Sequence, residues 1–441
     1  MNTKIILKQI FKAAVQSVLP GKMIQDQVSV SDSTLAVSNL QFSLNDIDCI
    51  YIIGAGKASA LMAKEIESIL GKHITEGHVV VKYGHSCELK YIKVTEAGHP
   101  IPDNNSVMAA GRILEIANKA TANDIVICLL SGGGSALLAD CPDDITMAEI
   151  IILNNLLLKT GADIKEINTV RKHLSKLKGG QLAKAVYPAT LIGLILSDVV
   201  GDSIDVIASG PTAHDSTTYE DAMTVLTKYN LLQEVPLSII DYLKKGIEGL
   251  YPDTPDTDSE YFKNTYNFII GSNKIALQAA YNESAALGLH SIIITDQLEG
   301  DSVKTADYII ETAFKIQKDE SIQKPVCLVF GGETTIRING NGTGGRNQHL
   351  ALHAALMLKD KKGITLLSAG TDGNDGPTNA AGAIVDSTTN EIALQLNLNI
   401  EKYLQEFNSF HFFQKAGGHI ITGPTMTNVM DVMIVIVEQK Q

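Results

Sequence analysis

No apolar run in this chain of 441 residues approaches the roughly 18 residues that a membrane-spanning helix needs. A block of Lys or Arg is missing too, and the formal net charge is −13, so nucleic acid and anionic membranes are poor partners. Any anionic ligand has to be held by a local cluster against the overall field. The five cysteines (Cys49, Cys87, Cys128, Cys141, Cys327) show no CxxC or CxxH spacing, and there is no HExxH, so no zinc pattern exists. Three of these thiols lie in or beside apolar strand runs, the pattern of buried cysteines in a reducing, cytoplasmic protein. Met1 to Leu19 carries Ile6, Ile10, Ala13 and Ala14 at helical spacing but lacks a continuous apolar core and a small-residue cleavage site. It reads as a helix rather than a signal peptide.

What the chain does contain is a recurring unit: a short apolar strand, a Gly-rich or acidic corner, then a helical pattern. Cys49–Ile53 runs into Gly54-Ala55-Gly56-Lys57, and Ile125–Leu130 runs into Ser131-Gly132-Gly133-Gly134-Ser135. Leu191–Leu196 then leads to Ser197-Asp198-Val199-Val200-Gly201-Asp202. Val79–Lys82 and Tyr91–Thr95 read as further strands, and Pro20 to Asn45 as polar and irregular. Continuous apolar strands alternating with helices indicate a parallel sheet covered on both faces. Thr146 and Glu149 form a capping box ahead of an apolar helix that stops at Gly161. Gly249 to Thr265, rich in Pro, Asp and Thr, reads as a domain boundary, giving lobes at 1–255 and 256–441. The pattern I-I-G-x-x-K recurs at Ile52–Lys57 and Ile269–Lys274, as two related α/β lobes would produce.

In such sheets ligands bind outside the carboxyl ends of the strands, and the corners above lie at such ends. The densest is Phe330–Gln348, FGGETTIRINGNGTGGRNQ, where glycines precede Arg346 at the start of a helical pattern. Glycines let backbone N–H groups approach an anion, a helix start adds a favourable dipole, and a guanidinium grips phosphoryl or carboxylate groups in bidentate fashion. Two tight Gly-rich turns would produce the same string. Ala369–Pro377 follows the next apolar strand and supplies Asp372 and Asp375, oxygens that suit Mg²⁺ or a reacting hydroxyl. Gly54–Ser59 is not a dinucleotide fingerprint, because Ser59 stands at the third glycine, nor a P-loop, because Tyr51 stands at the first glycine and Ala58 replaces the Mg²⁺-binding hydroxyl. It leaves a lysine, Lys57, in the first turn of a helix. SGGGS lacks G-x-S-x-G, so a turn that binds phosphate or nucleotide fits better than an acyl-transfer serine. Arg171, Ser175 and Lys178 fall at i, i+4, i+7 and would share a helix face, either solvated or reading an anion. His99 sits in a rigid loop, Gly98-His99-Pro100-Ile101-Pro102-Asp103, as a structural or a functional histidine.

Taken in order, GAGKAS, EAGHPIPD, SGGGSALL, NTVRKHLSKLKGGQLA, LSDVVGD with IASGPT, GGETT, GTGGRNQ, AGTDGNDGPTNAAGA and TGPTMTNVMD resemble the MOFRL-containing glycerate kinases, from about Lys8 to Val437. The resemblance implies an α/β protein of two lobes, a Rossmann-like parallel-sheet N-terminal domain and a smaller α/β MOFRL domain, with the active site in the interdomain cleft. It implies ATP- and Mg²⁺-dependent phosphorylation of D-glycerate, giving 2-phosphoglycerate and ADP, by a monomer or homodimer. The key lysine falls on Lys57 and the arginine on Arg346, with Asp198 and Asp372 beside them as catalytic groups. Substrate contacts are then expected from Lys57, Arg346, His99, Arg171, Lys178 and Asn347. Nucleotide contacts are expected from Gly133, Gly134, Ser135, Ser272, Asn273, Gly332, Glu333, Thr334, Gly344 and Gly345, and metal contacts from Asp198, Asp372 and Asp375. Gln181, His349, Val200 and Met426 depart from the family pattern; Met426 stands where a glycine is usual. Two rivals are an NAD(P)H-dependent hydroxypyruvate reductase, disfavoured by Ser59 and Lys82, and a non-catalytic sugar-phosphate sensor, which leaves Arg346 and the acidic loop without a task.

Overall fold

Ile50–Ala55 and Ile125–Leu130 are buried along their whole length, as strands with no polar alternation must be. They form the middle of a six-stranded sheet in a computed structural model that describes residues 2–439. In spatial order the strands are Ile92–Ala97, Glu76–Lys82, Ile50–Ala55, Ile125–Leu130, Thr190–Leu196 and Thr265–Gly271. The first five pair in parallel. From Ile50–Ala55 the chain builds outward on one side and then returns to start Ile125–Leu130 on the other. This reversal leaves a crevice at the carboxyl ends of the two central strands. Gly56–Lys57 and Ser131–Ser135 emerge there, joined where Lys57 N donates to Gly132 O at 2.9 Å and Ser131 N to Ala55 O at 3.1 Å.

The chain divides into two compact units, Met23–Ser197 with Asp202–Ile270, and Met1–Lys22 with Asp198–Gly201 and Gly271–Gln441. The Pro/Asp-rich stretch after Gly249 lies inside the first of these. Thr254 Oγ1 donates to Asp215 at 2.9 Å, and Asp215 N donates to Pro255 O at 2.9 Å, so the segment is tied down by buried polar groups. Ile269-Ile270-Gly271 then ends the edge strand of the same sheet instead of opening a second one, so the I-I-G-x-x-K pattern does not mark equivalent lobes. Pro20–Asn45 also differs from the sequence reading. It forms a helix, Pro20–Gln27, and an antiparallel meander of Val28–Ser31, Thr34–Val37 and Leu40–Ser43. The Val-Ser-Val-Ser and Leu-Ala-Val alternations carried that signal, and Leu35 and Val37 are fully buried. The helix Met147–Thr160 begins at the expected Thr146/Glu149 box and stops at Gly161.

In the second unit the sheet order is His290–Asp301, Val326–Thr335, Asp431–Val437, Ile364–Gly370, Gly382–Asp386, His419–Ile420. The first pair is parallel and the rest antiparallel. Leu328, Phe330, Met433 and Val435 pack against Ile309, Ile310, Leu350 and Ala351 of the helices Ser302–Lys318 and Arg346–Met357. The alternate residues point to the opposite face, where Thr3–Ser17 and Asn273–Ala286 lie. Asp431 opens the central strand, in register with Gly332 on one side and Gly370 on the other. Because the strands are antiparallel there, a strand start meets the GGET corner and the acidic loop at their own strand ends. The segment before it is stitched to that loop: Thr425 N donates to Asp372 O at 3.1 Å and Thr425 Oγ1 to Thr371 O at 2.6 Å.

Met426, in this segment, is held at φ +64, a conformation that favours glycine. Glycine elsewhere costs about 1 kcal/mol in backbone entropy, while leaving this region recovers a similar amount. Met426→Gly should therefore be at least as stable as the parent in urea unfolding, whereas Met426→Val should lose about 1 kcal/mol or more. A loss above about 1 kcal/mol for the glycine variant would remove strain at this position from the account.

Candidate active site

Lys57 follows the strand Ile50–Ala55 and precedes the helix Ser59–Leu70, whose cap position has no side-chain hydrogen bond. Among the described residues no ion pair is formed by its ammonium. A Cβ on Gly133 would fall 2.8 Å from His99 Nε2 and 3.4 Å from Lys57 Cε, and Gly133 lies at φ +83. A side chain there is excluded twice, by backbone conformation and by the two groups that fill its space. The loops that carry them are locked together, since Ser131 Oγ accepts from Ala58 N at 3.0 Å and meets Ser59 Oγ at 3.3 Å. Burial, then Lys57, Lys82 and His85, push His99 down to about 4. At neutral pH its imidazole is uncharged, so it serves this corner as a hydrogen-bonding group and not as a cation.

Arg171 and Lys178 do not share a helix face. The helix Ile164–Lys172 is capped by His173, and Ser175 and Lys178 lie beyond it. Lys178, buried, donates to the Leu138 carbonyl and to Asp140 Oδ1, and Ser175 Oγ donates to the same Asp140 oxygen at 2.6 Å. Burial lowers the Lys178 pKa, against the opposing pull of Asp140. Arg171 Nε donates to Asn154 Oδ1 at 2.7 Å. Two of the four cations expected to contact substrate are thus engaged with the protein, and Lys178 anchors the end of the SGGGSALLAD loop.

In the second unit the geometry is organised around Asp431. Arg346 donates to it through Nε at 2.7 Å and Nη2 at 3.0 Å, a bidentate pair, and its Nη1 lies 2.8 Å from Glu333. Asn347 Nδ2 donates to Asp431 Oδ1 at 2.8 Å, while Ser368 Oγ donates to Asn347 Oδ1 at 2.6 Å. Burial disfavours the charge on Arg346, but Asp431 and then Glu333 outweigh it and raise its pKa. Glu333, expected to cradle a nucleotide, is instead a partner of Arg346. Asn273, also expected at the nucleotide, donates to the Val429 and Asp431 carbonyls at 2.8 and 2.9 Å and holds the strand start. Ser272 stands at the N-cap position of the helix Asn273–Ala286 without a side-chain capping bond and is buried, as is Thr334, whose hydroxyl has no partner among the described residues. Gly332 is buried at φ +140, pressed against the Leu298 backbone.

Asp375 is a further correction. Its Oδ1 accepts from Asn347 N at 3.0 Å and its Oδ2 from Gln348 N at 2.8 Å and Gln348 Nε2 at 3.0 Å. It caps the helix Arg346–Met357 from a distant loop, so the helix start already holds an anion, and that anion belongs to the protein. A Cβ on Gly345 would lie 2.4 Å from this carboxylate, and one on Gly344 would meet Ser409 Oγ at 2.2 Å. At these two positions the missing side chain makes room for Asp375 and Ser409. Burial raises Asp375 to about 6 against the backbone N–H groups that favour its charge. With both oxygens filled and only 3% of its surface exposed, it does not fit a metal ligand. Asp372 is half-buried, with Oδ1 accepting from Asn374 N at 3.0 Å, and Asp198 is half-buried at the head of its short segment. The residue that sequence reasoning missed is Asp431. Its signal was an acid at the first position of an otherwise apolar strand.

Two family models match the chain, one described as a domain of unknown function (DUF4147) over residues 6–244 and one as the MOFRL family over residues 326–431. A glycerate 2-kinase of Pyrococcus horikoshii is 43% identical, covering 97% of this chain and 96% of its own. A D-glycerate 2-kinase of Thermotoga maritima is 40% identical, covering 97% and 96%. A crystal structure of glycerate kinase from Thermotoga maritima superposes with a TM-score of 0.88 at 39% identity, covering 98% of this chain and 99% of that one.

Two outcomes follow from this geometry. Arg346→Ala leaves the buried Asp431 without its cation and should destabilise the protein by on the order of 3 kcal/mol in urea unfolding, with more than half regained on adding Asp431→Asn. A single variant as stable as the parent would contradict the pairing. For His99, the folded pKa lies below the ordinary 6.5, so its contribution to stability is complete above about pH 6.5 and declines as pH falls towards about 4. Removing the Lys57 charge with Lys57→Met should move the His99 titration upward by NMR. An unmoved titration would mean that the ammonium does not act on the ring.

Proposed function

The chain belongs to the MOFRL-containing glycerate kinase family, and from that premise we propose that it transfers the terminal phosphoryl group of ATP to the 2-hydroxyl of D-glycerate. The observation that carries this reading is 43% identity to a glycerate 2-kinase along nearly the whole of both chains. Phosphoryl transfer demands positioning and charge neutralisation more than covalent chemistry, and both units offer the groups for it. Lys57, a cation with no carboxylate of its own, is suited to the glycerate carboxylate or the transferring oxygens. Arg346 is held rigidly by Asp431 and Glu333. Of the five N–H donors of a guanidinium, these contacts occupy three and leave two for an anion.

Among the described residues no group of three His, Cys, Asp or Glu side chains forms a metal cluster. That fits Mg²⁺, which is usually bound by one or two carboxylates together with substrate phosphates. Asp198 and Asp372 are the carboxylates that would hold it, and Asp375 is not. Bound there, Mg²⁺ would supply charge neutralisation on the nucleotide phosphates. No helix is long and apolar enough to cross a membrane, and the five cysteines are free thiols. Free thiols suit a reducing compartment, and we assign the protein to the cytoplasm.

Purified protein incubated with ATP, Mg²⁺ and D-glycerate should give a 2-phosphoglycerate signal by phosphorus NMR. A 3-phosphoglycerate signal would move the attacking hydroxyl, and intact ATP with folded protein would overturn the kinase reading. Lys57→Met should lower kcat by about 10³-fold. Because Lys57 forms no ion pair among the described residues, the same variant should stay within about 0.5 kcal/mol of parental stability.

A further inference from the structure

Ser135 lies on the loop that sets Gly133 against Lys57 and His99, and its hydroxyl belongs to a chain of hydrogen bonds with a fixed direction. Its Oγ is 2.7 Å from Ser209 Oγ. Ser209 Oγ donates to Asn168 Oδ1 at 2.9 Å, and Asn168 Nδ2 faces the Val206 carbonyl at 3.4 Å. Ser209 and Asn168 are buried. Ser209 is the middle of three successive left-handed residues, Ala208 at φ +51, Ser209 at +61 and Gly210 at +63, and its carbonyl accepts from Gly179 N at 3.0 Å.

The direction follows from the far end. The Val206 carbonyl can only accept, so Asn168 turns its NH₂ towards it and presents Oδ1 to Ser209. The opposite amide orientation would set two acceptors face to face in a buried place, a costly arrangement. Oδ1 in turn can only accept, so Ser209 donates to it. Ser209 has one proton, now committed, so Ser135 donates to Ser209. Ser135 Oγ is left with lone pairs and no proton to offer.

A phosphate or carboxylate oxygen offers only lone pairs and finds no donor in that hydroxyl. An alcohol does offer a proton. The chain also ends at an amide oxygen, which is not basic, so Ser135 can hold a hydroxyl but cannot pass its proton on. Such a group suits the substrate hydroxyl that does not react. Resting on the glycerate kinase reading, we infer that Ser135 Oγ accepts a hydrogen bond from the 3-hydroxyl of D-glycerate, with Ser209 and Asn168 as positioning residues. The SGGGS serine thereby reads the acceptor substrate, not the nucleotide that its Gly-rich setting suggests.

The test compares dissociation constants for D-glycerate and D-lactate, which carries a methyl group in place of the CH₂OH, by calorimetry on the same enzyme preparation. The parent should prefer glycerate. Ser135→Ala should weaken glycerate binding about tenfold and leave lactate binding unchanged, collapsing the ratio. Ser209→Ala frees the Ser135 proton and should reduce the ratio in the same direction with Ser135 still present. That variant carries the test if Ser135→Ala fails to fold. Equal losses on both acids, or a weakened affinity for ATP with the ratio preserved, would overturn the inference. Binding of neither acid by the folded parent would instead overturn the glycerate reading on which it rests.

Discussion

A carboxylate with no solvent exposure, Asp431, stands at the head of the central strand of the second sheet. Such a charge is tolerated only where cations and N–H donors replace water. Arg346 and Asn347 do so, and both sit in the first turn of a helix whose own start is capped by Asp375. The requirement to satisfy one buried acid thereby fixes the rotation of that helix, the direction of the guanidinium and the approach of the acidic loop. Glu333 adds a third contact to the guanidinium from the neighbouring strand. A guanidinium so constrained loses little entropy when it engages a further anion, which is the value of preorganisation in phosphoryl transfer.

The first unit solves a different problem. Among the described residues its key cation forms no ion pair, and what restrains it is packing between two loops held together by serine hydroxyls and backbone groups. Lys57 is left to engage a ligand, while burial keeps the neighbouring imidazole neutral. Lysines and arginines elsewhere in the same unit are used structurally, as Lys178 with Asp140 and Arg171 with Asn154 illustrate.

Strand identity and the corners at strand ends were legible in the sequence because continuous apolar runs and Gly-rich breaks are local signals. That is why Lys57 and Arg346 could be singled out without coordinates. Their surroundings were not legible. Arg346 and Asp431 are 85 residues apart and meet through antiparallel register, which no local pattern encodes. Asp375 lay in a loop rich in acids, and nothing in its spacing distinguished a remote helix cap from a metal ligand. The Arg171–Lys178 face failed because the helix ends at Lys172, and a helical spacing carried past a cap has no meaning. The meander after Pro20 was overlooked because its strands are short and half polar, although the alternation was present.

The helix Thr3–Ser17 has a bearing on how the chain is made. It precedes the parallel-sheet unit in the chain, yet it packs against Asn273–Ala286 and the strand Asp431–Val437, which follow that unit. Leu7, Ile10, Phe11 and Ala14, all buried in the folded chain, wait for those later segments to be made before they are covered. Meanwhile the parallel sheet that follows can assemble from contiguous segments. An apolar stripe waiting through the synthesis of the intervening unit is exposed to aggregation and is a natural client for holding chaperones. A fragment beginning at Gly271 would meet the mirror problem, with a sheet face that lacks its cover.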